Sequence, residues 1–180
     1  MVQVSRTRFV LSIVLALTII GGSLYFFGAR HMRFFLVPSS SMEPTLYPSD
    51  YLITMKEPVY RRGDIVVLRD PNDPDSYLVK RIVGLPGDTI AIAAGALFIN
   101  GKYASEPYIK EPMQTELAPI NVGEGEYFVL GDNRNQSEDS ATWRRGVPEN
   151  SIIGKVRWIY SPISRMGPVS SYPLANLDQL

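Results

Sequence analysis

Three serines between two prolines, in Pro38-Ser39-Ser40-Ser41-Met42-Glu43-Pro44, are the first groups along this 180-residue chain that could supply a hydroxyl nucleophile. Taken alone, the segment reads equally well as a polar turn, since Ser and Pro both favour turns. A serine needs a base to become nucleophilic. The chain contains no cysteine, which excludes thiol chemistry, and its one histidine, His31, follows a long apolar run, where neither a Ser-His-Asp triad nor a histidine-rich metal cluster is easily assembled. A hydrolase here would use another base. In Tyr77-Leu78-Val79-Lys80-Arg81-Ile82-Val83, strand alternation puts Lys80 on one face with Leu78 and Ile82. Desolvation there lowers an amine pKa and fits it to accept a proton near neutral pH, whereas a lysine at a sheet edge would keep its head in water. Arg81 points to the opposite face. A third polar run, Gly131-Asp132-Asn133-Arg134-Asn135-Gln136-Ser137-Glu138-Asp139-Ser140, is rich in side chains that bond their own backbone, and it lacks the spacing of an EF-hand calcium loop.

These groups need a scaffold to hold them. Residues 9–27 carry no charge and as a helix would reach roughly 28 Å, about the hydrocarbon thickness of a bilayer. A cleaved secretory signal would look similar, but the apolar character continues through Leu24, Tyr25, Phe26 and Phe27, so an uncleaved anchor is expected. Arg6 and Arg8 before it and Arg30 and Arg33 after it leave the orientation undecided by charge. After residue 34, short apolar runs alternate with Pro, Gly, Asn and Asp, the texture of a mostly β domain. Strands are expected at 51–55, 64–69, 77–83, 89–92, 96–99, 126–130 and 152–160, with Asn100-Gly101 as a type I′ hairpin turn. Residues 109–124, with Pro112 and Pro119, read as an extended connection, and the tail from 161 as loosely ordered. The expected organisation is therefore a short N-terminus (1–8), an anchor (9–27), a β domain (34–160) and a tail (161–180). Eighteen basic residues balance eighteen acidic ones, so no net field recruits nucleic acid.

Four motifs in order, PSSSMEPTL at 38–46, RRGDIVVL at 61–68, KRIVGLPGD at 80–88 and GDNRNQSEDS at 131–140, together with the N-terminal anchor, resemble the type I signal peptidases. These are membrane-bound serine endopeptidases that remove signal peptides from exported preproteins. The resemblance spans most of residues 35–160. It implies an antiparallel β fold of the signal-peptidase kind after one transmembrane helix, and residue roles by position. Ser41 matches the nucleophile and Lys80 the general base. Ser39, with the backbone N–H of Ser41, matches the oxyanion hole. Ser137 matches the serine that orients the lysine amine, Asp132 the acid that pairs with Arg81, and Asp139 an acid that in the family commonly pairs with an arginine two positions on. Here that position is Ala141, so Arg144 or Arg145 is the available substitute. Phe35, Val37, Met42, Leu46 and Val79 are expected to line shallow pockets for small substrate residues one and three positions before the cut. The resemblance further implies no metal or organic cofactor, signal peptides and the lipid bilayer as partners, and a single-pass cell-membrane protein with its N-terminus cytoplasmic and its catalytic domain on the exported side. Phe34, Phe35 and Leu36 would then meet the membrane interface. Two other readings are a self-cleaving Ser-Lys repressor-type domain, for which the DNA-binding module is replaced by the anchor, and a silent tethered β domain, which would not require Ser39, Ser41, Lys80 and Ser137 together.

Overall fold

A computed structural model describes residues 6–174 and, within the N-terminal helix, the side chains of residue 6 and residues 9–23. The expectations for residues 1–5 and 175–180, and for the side chains of Leu24, Tyr25, Phe26 and Phe27, lie outside the described residues. Helix α1 (Arg6–His31) runs directly into strand β1 (Met32–Leu36). Its described apolar side chains, including Phe9, Leu11, Leu15 and Ile19, are exposed. Among the described residues no helix is long and apolar enough to cross a membrane.

The rest is antiparallel β, as its turn-punctuated sequence dictates. The main sheet is ordered β1, β2 (Tyr51–Met55), β11 (Ile152–Ser161), β3 (Ile65–Arg69), β4 (Tyr77–Gly84), β9 (Glu126–Leu130) and β10 (Val147–Pro148), with β12 (Gly167–Pro168) paired to β11. A smaller sheet follows the order β7 (Lys102–Tyr103), β6 (Ala96–Ile99), β5 (Thr89–Ala93) and β8 (Leu117–Asn121). The seven expected strands all form, with ends within a residue of the reading. β3 begins one residue late because Asp64 closes a turn first, its carboxylate accepting from the Arg61 N–H at 3.0 Å. The Asn100-Gly101 turn has positive φ at both positions, 52° and 77°, as a type I′ turn requires.

Two expectations need correction. The connection 109–124 contains β8, which carries Pro119. β8 bonds only β5 and forms an edge of the small sheet, where a strand tolerates a residue without an N–H. The described part of the tail, residues 161–174, is ordered: β12 pairs with β11, Val169 packs on the core and Leu174 is buried. Apolar burial supplied by a distant part of the fold fixes it, which local sequence does not display.

Three apolar clusters cover the main sheet. One gathers Val37, Met42, Leu46, Leu52, Ile65, Val67, Val79, Val156 and Ile159 under the serine segment. A second packs the small sheet on Val83, Phe128 and Leu130, and a third holds Tyr60, Val66, Leu68, Ile82 and Val129. Strand β4 is paired on both edges, to β3 and β9, and its residues from Val79 to Gly84 are buried on both faces.

The order of the tail rests on Gly63, whose φ is +87°, and where an added Cβ would lie 2.0 Å from the Tyr172 carbonyl oxygen. Gly63→Ala is expected to lose roughly 1–3 kcal/mol from backbone strain alone, and more from displacing residue 172. Urea unfolding of the variant beside the parent measures it; an unchanged midpoint would show that the tail does not pack there.

Candidate active site

The serine segment lies between β1 and β2 and is held from both sides. Val37 N–H donates to the Asp50 carbonyl at 2.9 Å, and Leu46 N–H to that of Met42 at the same distance. Buried Met42 and Leu46 anchor the turn in the core. Ser41, 8% exposed, is thereby set facing the middle of β4.

There Lys80, 2% exposed, donates from Nζ to Ser41 Oγ at 2.9 Å. Burial pushes the amine below the ordinary lysine value, against the opposing pull of Asp139 first and then Asp70, Glu138 and Asp132. A lysine whose ammonium form is weakened by burial and whose nitrogen touches a hydroxyl has the geometry of a general base on a nucleophile. Ser39 Oγ donates to Ser41 Oγ at 3.3 Å, so a second hydroxyl stands beside the reacting oxygen. Ser40 turns away, with only a long contact of 3.5 Å to Gln136.

Arg81, the next residue on β4, is fully buried. It donates to both oxygens of Asp132, from Nε at 2.8 Å and Nη2 at 2.7 Å, and from Nη1 to the Gly63 carbonyl at 2.9 Å. Thr45 Oγ1 donates to Asp132 at 2.5 Å, tying the serine segment to this pair. The pairing expected of Asp132 and Arg81 is therefore present. Loop 131–137 also grips the serines through its backbone: Asn133 N–H donates to the Ser41 carbonyl at 3.0 Å and Asn133 Nδ2 to that of Ser40 at 3.1 Å.

Asp139 makes no ion pair with an arginine among the described residues. Its oxygens accept from the Gly131 N–H at 3.0 Å and the Ala141 N–H at 3.1 Å, the latter as N-cap of α2 (Ser140–Trp143). Burial raises its pKa, with these N–H groups and Lys80 opposing. Arg144 and Arg145 are exposed, and buried Ala141 packs in the core where the family arginine would begin. Backbone donors thus replace the expected guanidinium. Ser137 also departs from expectation. Its Oγ is buried without a well-formed hydrogen bond and does not reach Lys80; it favours the Asp139 carboxylate instead. A Cβ at Gly131 would lie 2.4 Å from that Oγ and 2.5 Å from the Ser41 carbonyl, so only glycine fits between them.

The five residues expected to line substrate pockets are gathered around the serine segment in a single cluster. Val37, Met42, Leu46 and Val79 are buried core, however, and only Phe35, edge-on to Tyr77 at 5.3 Å, keeps exposure. They form a floor beneath the site rather than an open wall. Sequence reasoning missed one supporting group. Buried Arg134 donates to the Gly131 carbonyl at 2.9 Å and to both oxygens of Glu106 at 2.7 and 2.6 Å, and Glu106 also accepts from Tyr108. The only available signal was an arginine within a turn-rich run; its partner lies 28 residues earlier in the chain.

A family model described as signal peptidase, peptidase S26, matches residues 6–161. A probable signal peptidase I-2 from Synechocystis sp. is 42% identical over 142 residues, 73% of this chain but 64% of that protein, so the chain spans less than two thirds of that relative. The signal peptidase I of Leptolyngbya laminosa is 37% identical over 175 residues, 91% of this chain and 81% of that protein. A crystal structure of a signal peptidase I from Enterococcus faecalis aligns with a TM-score of 0.45 and 30% identity, covering 54% of this chain and 96% of that one.

Two outcomes follow from the geometry. With the oxyanion role that the resemblance implies for Ser39, Ser39→Ala should lower kcat about a hundred- to a thousandfold, with little change in KM. Ser40→Ala should be nearly silent; steady-state kinetics showing the reverse order would mean the serines are assigned in the wrong register. Because the base must lose its proton before it acts, kcat/KM should rise with pH through the lowered Lys80 value, below about 10.4. A plateau beginning near pH 6, where an ordinary histidine titrates, would point to another base.

Proposed function

The chain belongs to the S26 signal peptidase family and is a type I signal peptidase, and from that premise we propose that it is a membrane-anchored serine endopeptidase cutting signal peptides from exported preproteins with a Ser41–Lys80 dyad. The observation that carries the proposal is the 2.9 Å contact between a buried lysine amine and the hydroxyl of Ser41.

In the proposed cycle, neutral Lys80 takes the Ser41 proton as Oγ attacks the scissile carbonyl. The developing oxyanion is met by the Ser41 backbone N–H and the Ser39 hydroxyl, whose present bond to Ser41 Oγ leaves it within reach of that atom. Lys80 then returns the proton to the departing amine, and the C–N bond breaks to leave an acyl ester on Ser41. A water that gives its proton to Lys80 releases the new C-terminus and regenerates the serine. No step calls for a metal or organic cofactor. Asp132 holds Arg81 and Asp139 holds the loop at Gly131, so neither carboxylate moves a proton in this scheme. The buried floor of Val37, Met42, Leu46 and Val79 cannot deepen without breaking core packing, which favours small side chains above it.

The membrane reading rests on α1. Its 26 residues span about 39 Å as a helix. The apolar side chains described along it are exposed, and a lipid environment is the natural cover for such a surface. β1 follows without a loop, so exposed Phe34 and Leu36 come within five residues of the helix end, which supports their contact with a membrane interface in this reading. Signal peptides emerge on the exported side, so the catalytic domain belongs there and the N-terminus in the cytoplasm.

The test is incubation of the detergent-solubilised chain with a preprotein bearing alanine one and three positions before the expected cut, followed by mass measurement of the new N-terminus. Cleavage should follow the second alanine and should vanish when tryptophan replaces it. Ser41→Ala and Lys80→Ala should each lower turnover by roughly a millionfold, the scale of losing one member of a catalytic unit, while melting close to the parent. Appreciable residual turnover in either variant would remove that residue from the mechanism.

A further inference from the structure

The family match stops at residue 161, yet the segment that follows, residues 162–174, runs back across the molecule behind the dyad and is anchored at two points. The first anchor is Arg165. Its guanidinium donates to the two oxygens of buried Asp50 at 2.8 and 2.9 Å and to the Thr45 carbonyl at 3.2 Å, and lies 4.4 Å from the centre of the Tyr47 ring. All three partners belong to residues 45–50, the loop leading away from Ser41. The second anchor is Tyr172. Its ring lies 5.6 Å from the Arg81 guanidinium carbon and 5.7 Å from the Tyr108 ring, which itself stacks on Arg81 at 3.9 Å. The backbone carbonyl of Tyr172 occupies the space beside Gly63 that a side chain would need, and the Gly63 carbonyl in turn accepts from Arg81. Between the anchors the segment pairs with β11 through β12, packs Val169 on the core and borders a cleft of about 350 Å³ shared with Pro44, Thr45 and Tyr108, so the two anchors are its links to the elements that carry Ser41 and Lys80.

One anchor therefore grips the chain that carries the nucleophile, and the other grips the residue adjacent to the base. Ser41 and Lys80 lie 39 residues apart and on different elements, so their 2.9 Å contact depends on the relative position of those elements. We propose that residues 162–174 are a positioning strap for the peptidase, with Arg165 and Tyr172 setting the Ser41–Lys80 geometry without touching either residue. The proposal rests on the dyad reading given above. It places these two side chains outside the catalytic residues and makes them determinants of turnover rather than of substrate affinity, because a small displacement of a reacting pair slows the chemical step while leaving binding intact.

The charged groups that bear most on Lys80 are Asp139, Glu138 and Asp132 on the loop after β9 and Asp70 at the end of β3, with Arg81 its neighbour on β4. None belongs to the strap. A strap variant that moves the titration of Lys80 thus acts through packing and water access, and loosening should carry the amine upward toward its ordinary value.

The experiment compares Arg165→Met, Tyr172→Ala and Tyr172→Phe in the full chain in detergent. The Lys80 titration midpoint is read by NMR of isotope-labelled lysine, for which the chain has five residues and Lys80→Arg supplies the assignment. Arg165→Met and Tyr172→Ala should each raise the midpoint and lower kcat on a preprotein about tenfold with KM within about twofold. Tyr172→Phe keeps the ring and should match the parent. If the midpoint and kcat are unchanged in both damaging variants while only their melting temperatures fall, the strap is structural and the proposal fails. Equal loss in Tyr172→Phe and Tyr172→Ala would overturn the ring contact as the cause. If the parent cleaves no preprotein, the peptidase reading falls, and the Lys80 midpoint alone then decides the strap.

Discussion

Burying the amine of Lys80 is the constraint around which the rest of the molecule is arranged. An ammonium group taken out of water is unfavourable unless carboxylates compensate it, and here desolvation outweighs the acids nearby. The burial requires β4 to be an interior strand, with β3 on one side and β9 on the other. It also requires the serine segment to lie against that strand, pinned by Met42 and Leu46, which have no exposed surface. A base of this kind is made by packing. It needs neither a histidine nor an adjacent activating acid.

The acids and cations around the dyad are arranged so that their charges are spent on one another. Arg81, next to the base, is neutralised by a bidentate contact with Asp132 and covered by the Tyr108 ring, so a second buried cation does not raise the field at Lys80 unopposed. Breaking such a pair leaves an isolated buried charge, which makes each partner far more important than the net worth of the pair. Asp139 is the exception. With no arginine beside it, it accepts from backbone N–H groups and caps a short helix, and the same loop is pinned by Arg134 through the Gly131 carbonyl. The loop is thus held at both ends by backbone contacts, which tolerate a changed side chain at position 141 better than a single ion pair would.

Seven strands, the hairpin turn at Asn100-Gly101 and the segments that carry Ser41 and Lys80 were legible because each is a local property. Alternation, turn chemistry and the order of short motifs are all written within a few positions of the residue concerned. Strand β8 was hidden by Pro119, because a proline inside a strand is admissible chiefly at a sheet edge and the sequence does not say which strands are edges. Of the five residues expected to line substrate pockets, Val37, Met42, Leu46 and Val79 are buried core, because whether a residue is a wall or a floor depends on what lies on its far side. The role expected of Ser137 was displaced in the same way, since its hydroxyl direction is set by Gly131 and Asp139, six residues before it and two after.

The sequence by itself determined a mostly β chain with an apolar N-terminal helix, ruled out thiol chemistry by the absence of cysteine, and singled out Ser41 and Lys80, the two residues that the fold brings to 2.9 Å. Tertiary structure alone decided the partners of the buried charges: Glu106 for Arg134, backbone amides for Asp139, Asp50 for Arg165 and the Tyr108 ring for Arg81. It also decided that residues 162–174 are ordered. The physical reason is range. Alternation and turn preferences act over a few residues, whereas a buried charge must find its partner in three-dimensional space, and the partner of Arg165 lies 115 positions away along the chain.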